Sequence, residues 1–453
     1  MKVFRKKIGF TLIEALIVVF IFSIVTVTFY SVFSLGGNYI IESKNRLAAV
    51  ALANEKMEIL RNLQYDLVGI AGGIPSGNIP PDEDVMNGGK TFHIKTFVQY
   101  IDDPFDGTSP TDLDYKRVKI TVSWQGVKGA ASSFSLVSRF VPQGVEQAAN
   151  GGTLSINIIN SRGAGIPQAT VHVTNSDISP AVDVTAMTDN AGNLMLPGAK
   201  QSIQKYNITV SKNGYETVNT IDPNSVTYSV TDTPASVVDG MMNVKTIVSD
   251  LLANLKIKSV DYLGNSLPSV GFHIEGGRIL GSDMFFSPAV PTYNLVSDNA
   301  TNSSGEKDLN NISPGQFFIS QISPVSGYTL IGLDAFSAFD TAKSAYSFIA
   351  APNESKDIKI KFANDNDNSL LASVVRSTDN YPIAGAQARL TNDSGYDVTQ
   401  TTLADGVAFF PVSSDPLVSG NYNLTITVSG YGDYNSAVNV NKLTSQQVKL
   451  TAN

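Results

Sequence analysis

Apolar residues run from Phe10 to Phe33 with one charge among them, Glu14, and the next charged residue is Glu42. As a helix these 24 residues would extend about 36 Å, enough to cross a bilayer. Past Gly36-Gly37, a pair expected to loosen the helix, the period stays helical from Tyr39 to Tyr65. Leu47, Val50, Met57, Leu60 and Gln64 recur near one face, with Glu42, Lys44, Arg46, Glu55 and Arg61 between them. The stretch Gly69–Gly89 is rich in Gly, Pro, Asn and Asp and reads as a loop. The period then falls to two. Thr91–Tyr100, Lys116–Trp124 and Ser132–Phe140 predict a small antiparallel sheet, with Val118, Ile120, Val122 and Trp124 on one face.

Beyond a polar linker the chain repeats itself. Gly165-Ile166-Pro167, Thr188-Asp189-Asn190-Ala191-Gly192, Tyr206-Asn207-Ile208-Thr209-Val210 and Gly214-Tyr215 form one unit. Tyr381-Pro382, Ala404-Asp405-Gly406, Tyr422-Asn423-Leu424-Thr425-Ile426 and Gly430-Tyr431 form another. A stretched unit lies between them, with Pro268, Asn302-Ser303-Ser304-Gly305 and Gly327-Tyr328. Its extra residues fall in Gly276–Tyr293, around Met284, Phe285 and Phe286. Short alternating strands with Gly, Asp or Asn turns predict β-sandwiches. On these residues the units resemble carboxypeptidase-regulatory-like modules, prealbumin-type sandwiches that serve as spacers or binding platforms.

The predicted fold is an α+β domain, a long helix plus a small antiparallel sheet, followed by three all-β sandwiches. The expected boundaries are leader 1–9, helix 10–65 with 10–33 in the membrane, head sheet 66–145 and linker 146–152. The sandwiches are placed at 153–249, 250–363 and 364–453.

The N-terminus carries the sharpest chemistry. Lys2, Arg5, Lys6 and Lys7 precede the apolar run and would hold that end in the cytoplasm. A carboxylate within the run costs about 2.5–3.5 kcal/mol and calls for a partner. A cut after Gly9 would give Phe10 a free amine one turn from Glu14. The basic leader, Gly9-Phe10, Thr11-Leu12-Ile13-Glu14 and the long apolar run resemble the type IV prepilin signature. That resemblance implies cleavage between Gly9 and Phe10 by a prepilin peptidase and N-methylation of Phe10. It also implies pairing of Glu14 with the amine of a neighbouring pilin subunit. The chain would be a single-pass protein of the inner or cytoplasmic membrane before assembly, and an extracellular filament afterwards. The segment around Asn54–Glu58 and Asp114–Arg117 is similar to the minor-pilin and pseudopilin branch.

Charge and composition narrow the rest. The net charge is −8, and −12 without the leader (28 basic against 40 acidic residues), with no basic stripe, so nucleic acid is not an expected partner. With no cysteine, disulfides, thiolate metal sites and cysteine nucleophiles are excluded. No nucleophile elbow or phosphate loop is present, and no enzyme activity or cofactor is expected. Asp102, Asp103, Asp106, Asp112 and Asp114 crowd one loop and are weak calcium candidates. His93, His172 and His273 read as strand residues rather than a shared metal site. The Gly-Tyr pairs read as core packing more than sugar-stacking surfaces, and Phe285 and Phe286 as a possible ligand contact. The expected function is a minor pilin-like subunit presenting the sandwiches to an unknown surface protein or glycan. A type II secretion pseudopilin and a membrane-anchored binding protein that never polymerises are the alternatives.

Overall fold

The computed structural model describes residues 12–101, 115–142, 151–322, 327–334, 338–412 and 417–453. One helix, α1 (Leu12–Arg61), runs for 50 residues. It passes Gly36 and Gly37 unbroken. Each glycine costs a helix about 1 kcal/mol relative to alanine, less than the backbone hydrogen bonds that a break would leave unmade.

A four-stranded antiparallel sheet follows, in the order β1 (Asp82–Asn87), β2 (Lys90–Ile101), β3 (Tyr115–Gln125) and β4 (Ala131–Phe140). β1 falls inside the stretch read from sequence as a loop. It pairs with β2 through a tight Gly88-Gly89 turn, and its short polar sequence gave no apolar alternation to read. Val118, Ile120, Val122 and Trp124 share the buried face, as their spacing predicts. Against that face α1 sets Ala49, Leu52, Ala53, Met57 and Leu60. The expected stripe was partly misplaced: Leu47 and Gln64 are exposed. Alanines let helix and sheet approach closely, a signal weaker than that of Leu or Val.

Each repeat unit forms two facing sheets. Module 3 is the plainest. Ser369–Arg376 lies between Val407–Phe410 and Leu443–Leu450, opposite a sheet of Asp397–Thr401, Gln387–Thr391, Gly420–Thr427 and Tyr434–Val440. In every module the first strand pairs in parallel with the last: Gly152–Ile159 with Met242–Val248, Ala253–Val260 with Ser355–Asn364, and Ser369–Arg376 with Leu443–Leu450. Entry and exit strands are therefore side by side in one sheet.

The repeated Thr explains the sequence motif. Thr188 Oγ1 accepts from Ala169 N (2.9 Å) and donates to Ile166 O (2.7 Å). Thr402 does the same with Ala386 N and Ile383 O at the same distances, and Thr301 accepts from Val270 N at 3.1 Å. A buried hydroxyl thus staples the Pro-containing loop to the following turn in all three modules. Four residues later Gly192, Gly305 and Gly406 adopt positive φ. A Cβ on Gly192 would lie 2.4 Å from Ile158 O, so glycine is required there. The Gly-Tyr pairs latch the exit chain: Leu252 N donates to Gly214 O and Asn453 N to Gly430 O, both at 3.0 Å. Tyr215, Tyr328 and Tyr431 pack against their own module cores.

The head and module 1 share one continuous core, whereas modules 2 and 3 each have their own. Val68, Ile70 and Ile74 of the loop after α1 join that shared core, and Asp183 N donates to Gly72 O at 2.7 Å across the contact.

Candidate functional site: the assembly helix and the exposed arm

The apolar side chains in the first half of α1 are not buried by any of the described residues. Its large apolar side chains from Leu12 to Ile41 are exposed, and none of the most apolar 18-residue window is buried. By length and composition it can cross a membrane. Four of its hydroxyls are satisfied internally. Ser23, Thr26, Thr28 and Ser31 each donate to the carbonyl four residues earlier at 2.8 Å, so they present little unpaired polarity to lipid or to a neighbouring helix. Glu14 lies in the first described turn and is exposed, where the helix dipole favours a carboxylate. Gly9, Phe10 and the leader cations Lys2, Arg5, Lys6 and Lys7 lie outside the described residues.

The second half of α1 is anchored. Trp124 Nε1 donates to Glu42 Oε1 (3.0 Å), Lys56 pairs with Glu83 of β1 (2.8 Å), and Arg61 pairs with Glu58 (2.6 Å). Just beyond the helix, buried Lys116 donates to Tyr65 O (2.8 Å) and lies over the rings of Tyr65 and Tyr100, 4.5 and 5.3 Å from their centroids. Burial pulls its amine down to about 8, against a smaller opposing pull from Asp66. One end of the helix is thus fixed to a folded head while the other offers an apolar rod.

A second exposed apolar feature lies in module 2. Gly271–Asp283 and Val290–Ala300 form a long hairpin. Its tip carries Met284, Phe285 and Phe286 at 69, 89 and 58% exposure. The residues read as an insertion make this arm, and sequence reasoning placed the two phenylalanines on it. From Met284 to Ser297 the arm bears no charged residue. Nearer its base, Lys343 pairs with Glu275 and lies over the rings of Tyr293 (5.6 Å) and Phe318 (4.9 Å).

The three histidines lie in three separate sheets. Each faces an aspartate on the adjacent strand: His93 with Asp84 (2.7 Å), His172 with Asp183 (2.7 Å) and His273 with Asp298 (2.6 Å). The hydrogen bond that His93 makes to the Asp84 carboxylate raises the His93 pKa. In module 3 the corresponding pair is Arg389 with Asp397, bound through two nitrogens. Cross-strand pairing of this kind was not read from the sequence, because it depends on register. The aspartates at 102, 103, 106, 112 and 114 lie outside the described residues. Among the described residues no cluster of His, Asp or Glu is arranged to hold a metal ion.

Residues 4–30 match the family model of the prokaryotic N-terminal methylation motif. No curated protein matches the chain. Solved structures that are similar include the Bacillus anthracis TIE protein (14% identity, 81% of this chain and 72% of that one, TM-score 0.21). A Streptococcal ancillary pilin is also similar (14% identity, 67% and 99%, TM-score 0.21). So is BcpA, the major pilin subunit of Bacillus cereus (10% identity, 67% and 100%, TM-score 0.16). Scores this low transfer no function. The chain therefore carries a prokaryotic N-terminal methylation motif at the start of a long apolar helix able to cross a membrane.

Proposed function

We propose that the chain is a minor subunit of a type IV pilus-like filament that presents its three sandwiches at the cell surface for adhesion to a protein or glycan. The observation that carries this reading is the division of α1. Its second half packs on the head, and its first half is a solvent-exposed apolar rod beginning in a methylation motif. Prepilin peptidase would cut between Gly9 and Phe10 and methylate Phe10. The processed helix would wait in the membrane, then exchange lipid for the helices of other pilin subunits. Glu14 supplies the registration. In an apolar bundle a carboxylate is tolerated when a neighbour's N-terminal amine faces it, so a helix slipped by a turn is penalised.

Three sandwiches on one head favour a low-abundance or tip position, since an appendage of this bulk limits how many copies a shaft accommodates. Phe285 and Phe286 are the proposed contact. The test is Glu14→Ala in the full chain expressed with its own export machinery. Processing should persist and the protein should stay in the membrane fraction, while incorporation into sheared filaments falls at least tenfold. Unchanged incorporation would overturn the polymer reading in favour of a simple membrane anchor. Lost secretion with intact adhesion, after deletion of the gene, would instead point to the secretion machine.

A further inference from the structure

The arm of module 2 does more than hold out two phenylalanines: its outer part pairs with a segment of module 1. Its first strand is paired along one edge in two parts. His273–Gly277 pair with Gln316–Ser320 of module 2. Gly281 and Ser282 pair with Val230 and Ser229, and Thr231 N donates to Leu280 O at 2.9 Å. Residues 229–231 are rooted in module 1, where Ile221 N donates to Asp232 O at 2.8 Å.

The changeover is built at a bulge. Register shifts just after Gly276, and Gly277 has φ +80°. Its missing Cβ would lie 2.8 Å from Asn294 Oδ1, the atom that accepts from Arg278 N at 2.9 Å. A bulge of this kind re-aims the next side chain. Arg278 is thereby turned out of its own module and into the neighbouring one. It donates to Glu216 Oε1 (2.8 Å), Val248 O (2.8 Å) and Asp232 Oδ2 (2.7 Å). Glu216 is only 5% exposed and also receives Asp250 N at 3.2 Å, so the chain leaving module 1 is tied into the same network. A fixed guanidinium fork, donating to these three acceptors through two nitrogens, suits them better than a lysine would.

We infer that the insertion of module 2 is an intramolecular clamp, which fuses head, module 1 and module 2 into one stiff unit and leaves flexing to the junction with module 3. The strand shared between modules, the arginine fork and the close backbone approach all act at this junction. At Gly281 a Cβ would fall 2.1 Å from Ser229 O. Among the described residues the neighbouring junction has no shared strand.

The absence of cysteine makes the test direct, because introduced cysteines are unique. The full chain in detergent carries spin labels at exposed Asn190→Cys and Ser304→Cys for modules 1 and 2, or at Ser304→Cys and Asp393→Cys for modules 2 and 3. Pulsed dipolar spectroscopy should give a narrow distance distribution for the first pair and one at least twice as wide for the second. Equal widths would overturn the clamp. Arg278→Ala and Gly281→Val should each widen the first distribution and leave the second alone. Asp232→Asn, a loop change outside both cores, should widen it by less. Hydrogen exchange in the same samples should show Thr231 and its partners losing protection while Ile208 and Phe317 keep theirs. A first distribution that stays narrow in all three variants contradicts the proposal.

Discussion

The junction between modules 1 and 2 and the junction between modules 2 and 3 are made by similar sandwiches in different ways. At the first, a strand crosses the boundary and a partly buried arginine holds two carboxylates. At the second, Tyr346 is hydrogen-bonded to the side chain of buried Asp405, Tyr262 touches Phe409 with ring centroids 5.4 Å apart, and an open cleft of about 360 Å³ lies alongside. The difference arises from departures from the repeat. In modules 1 and 2 the residue after the stapling threonine is Asp189 or Asn302. Its side chain caps its own turn, accepting from Ala191 and Asn193 or from Ser304 and Glu306. In module 3 that place is taken by exposed Leu403. The cap moves to Asp405, which accepts from Val407 N at 3.0 Å and also faces module 2. Where a repeat breaks its own pattern, the broken position faces a neighbour.

The largest effect expected is at the first junction. Arg278→Ala leaves Glu216 and Asp232 without their cation in a partly buried site, and the loss should fall between the roughly 1 kcal/mol of an exposed pair and the about 3–5 kcal/mol of a fully buried one. Denaturant unfolding should resolve a new early transition of about that size. A second prediction asks whether the modules themselves are equivalent. Thr188→Val and Thr402→Val each strand a buried amide and carbonyl, and should each cost about 1–3 kcal/mol. A cost confined to one of them would mean that module interiors, and not junctions, set the contrast.

The smallest effect is a pH dependence at the second junction. Burial raises the Asp405 carboxyl above its ordinary value, so the folded state binds its proton more tightly than the unfolded chain does. Its stabilisation is present below the unfolded value and is lost as pH rises through the folded one. The groups facing it are Tyr346 from module 2, whose own ionisation is pushed well above its usual range, and the cleft residue Asp379. Module 3 should therefore dock more firmly toward acidic pH, and Asp405→Asn should flatten that slope. Labels across modules 1 and 2 should show no such trend.

Much of this was legible in the sequence, and what was missed has a common cause. The membrane-length run, the β3 face and the three repeats are periodic, and periodicity is local. Leu47 was placed on the packed face because large apolar residues outweigh alanine in such a reading, yet Ala49 and Ala53 make the contact. Thr188, Thr301 and Thr402 stand four residues before a glycine in every unit. Aligning the third unit on Asp405 hid the match. Arg278 lay within what looked like an insertion, and its partners are 30 to 62 residues away in the chain. Side chains that bind distant backbone or a neighbouring module leave no local signature.

On the proposed function, the helix is first cut and then assembled. The most direct measurement is the intact mass of the protein purified from its native envelope. A chain beginning at Phe10 and carrying one added methyl group is the expected result. A chain that still begins at Met1, or that begins beyond the apolar run, would contradict the assembly account and leave a tethered string of sandwiches.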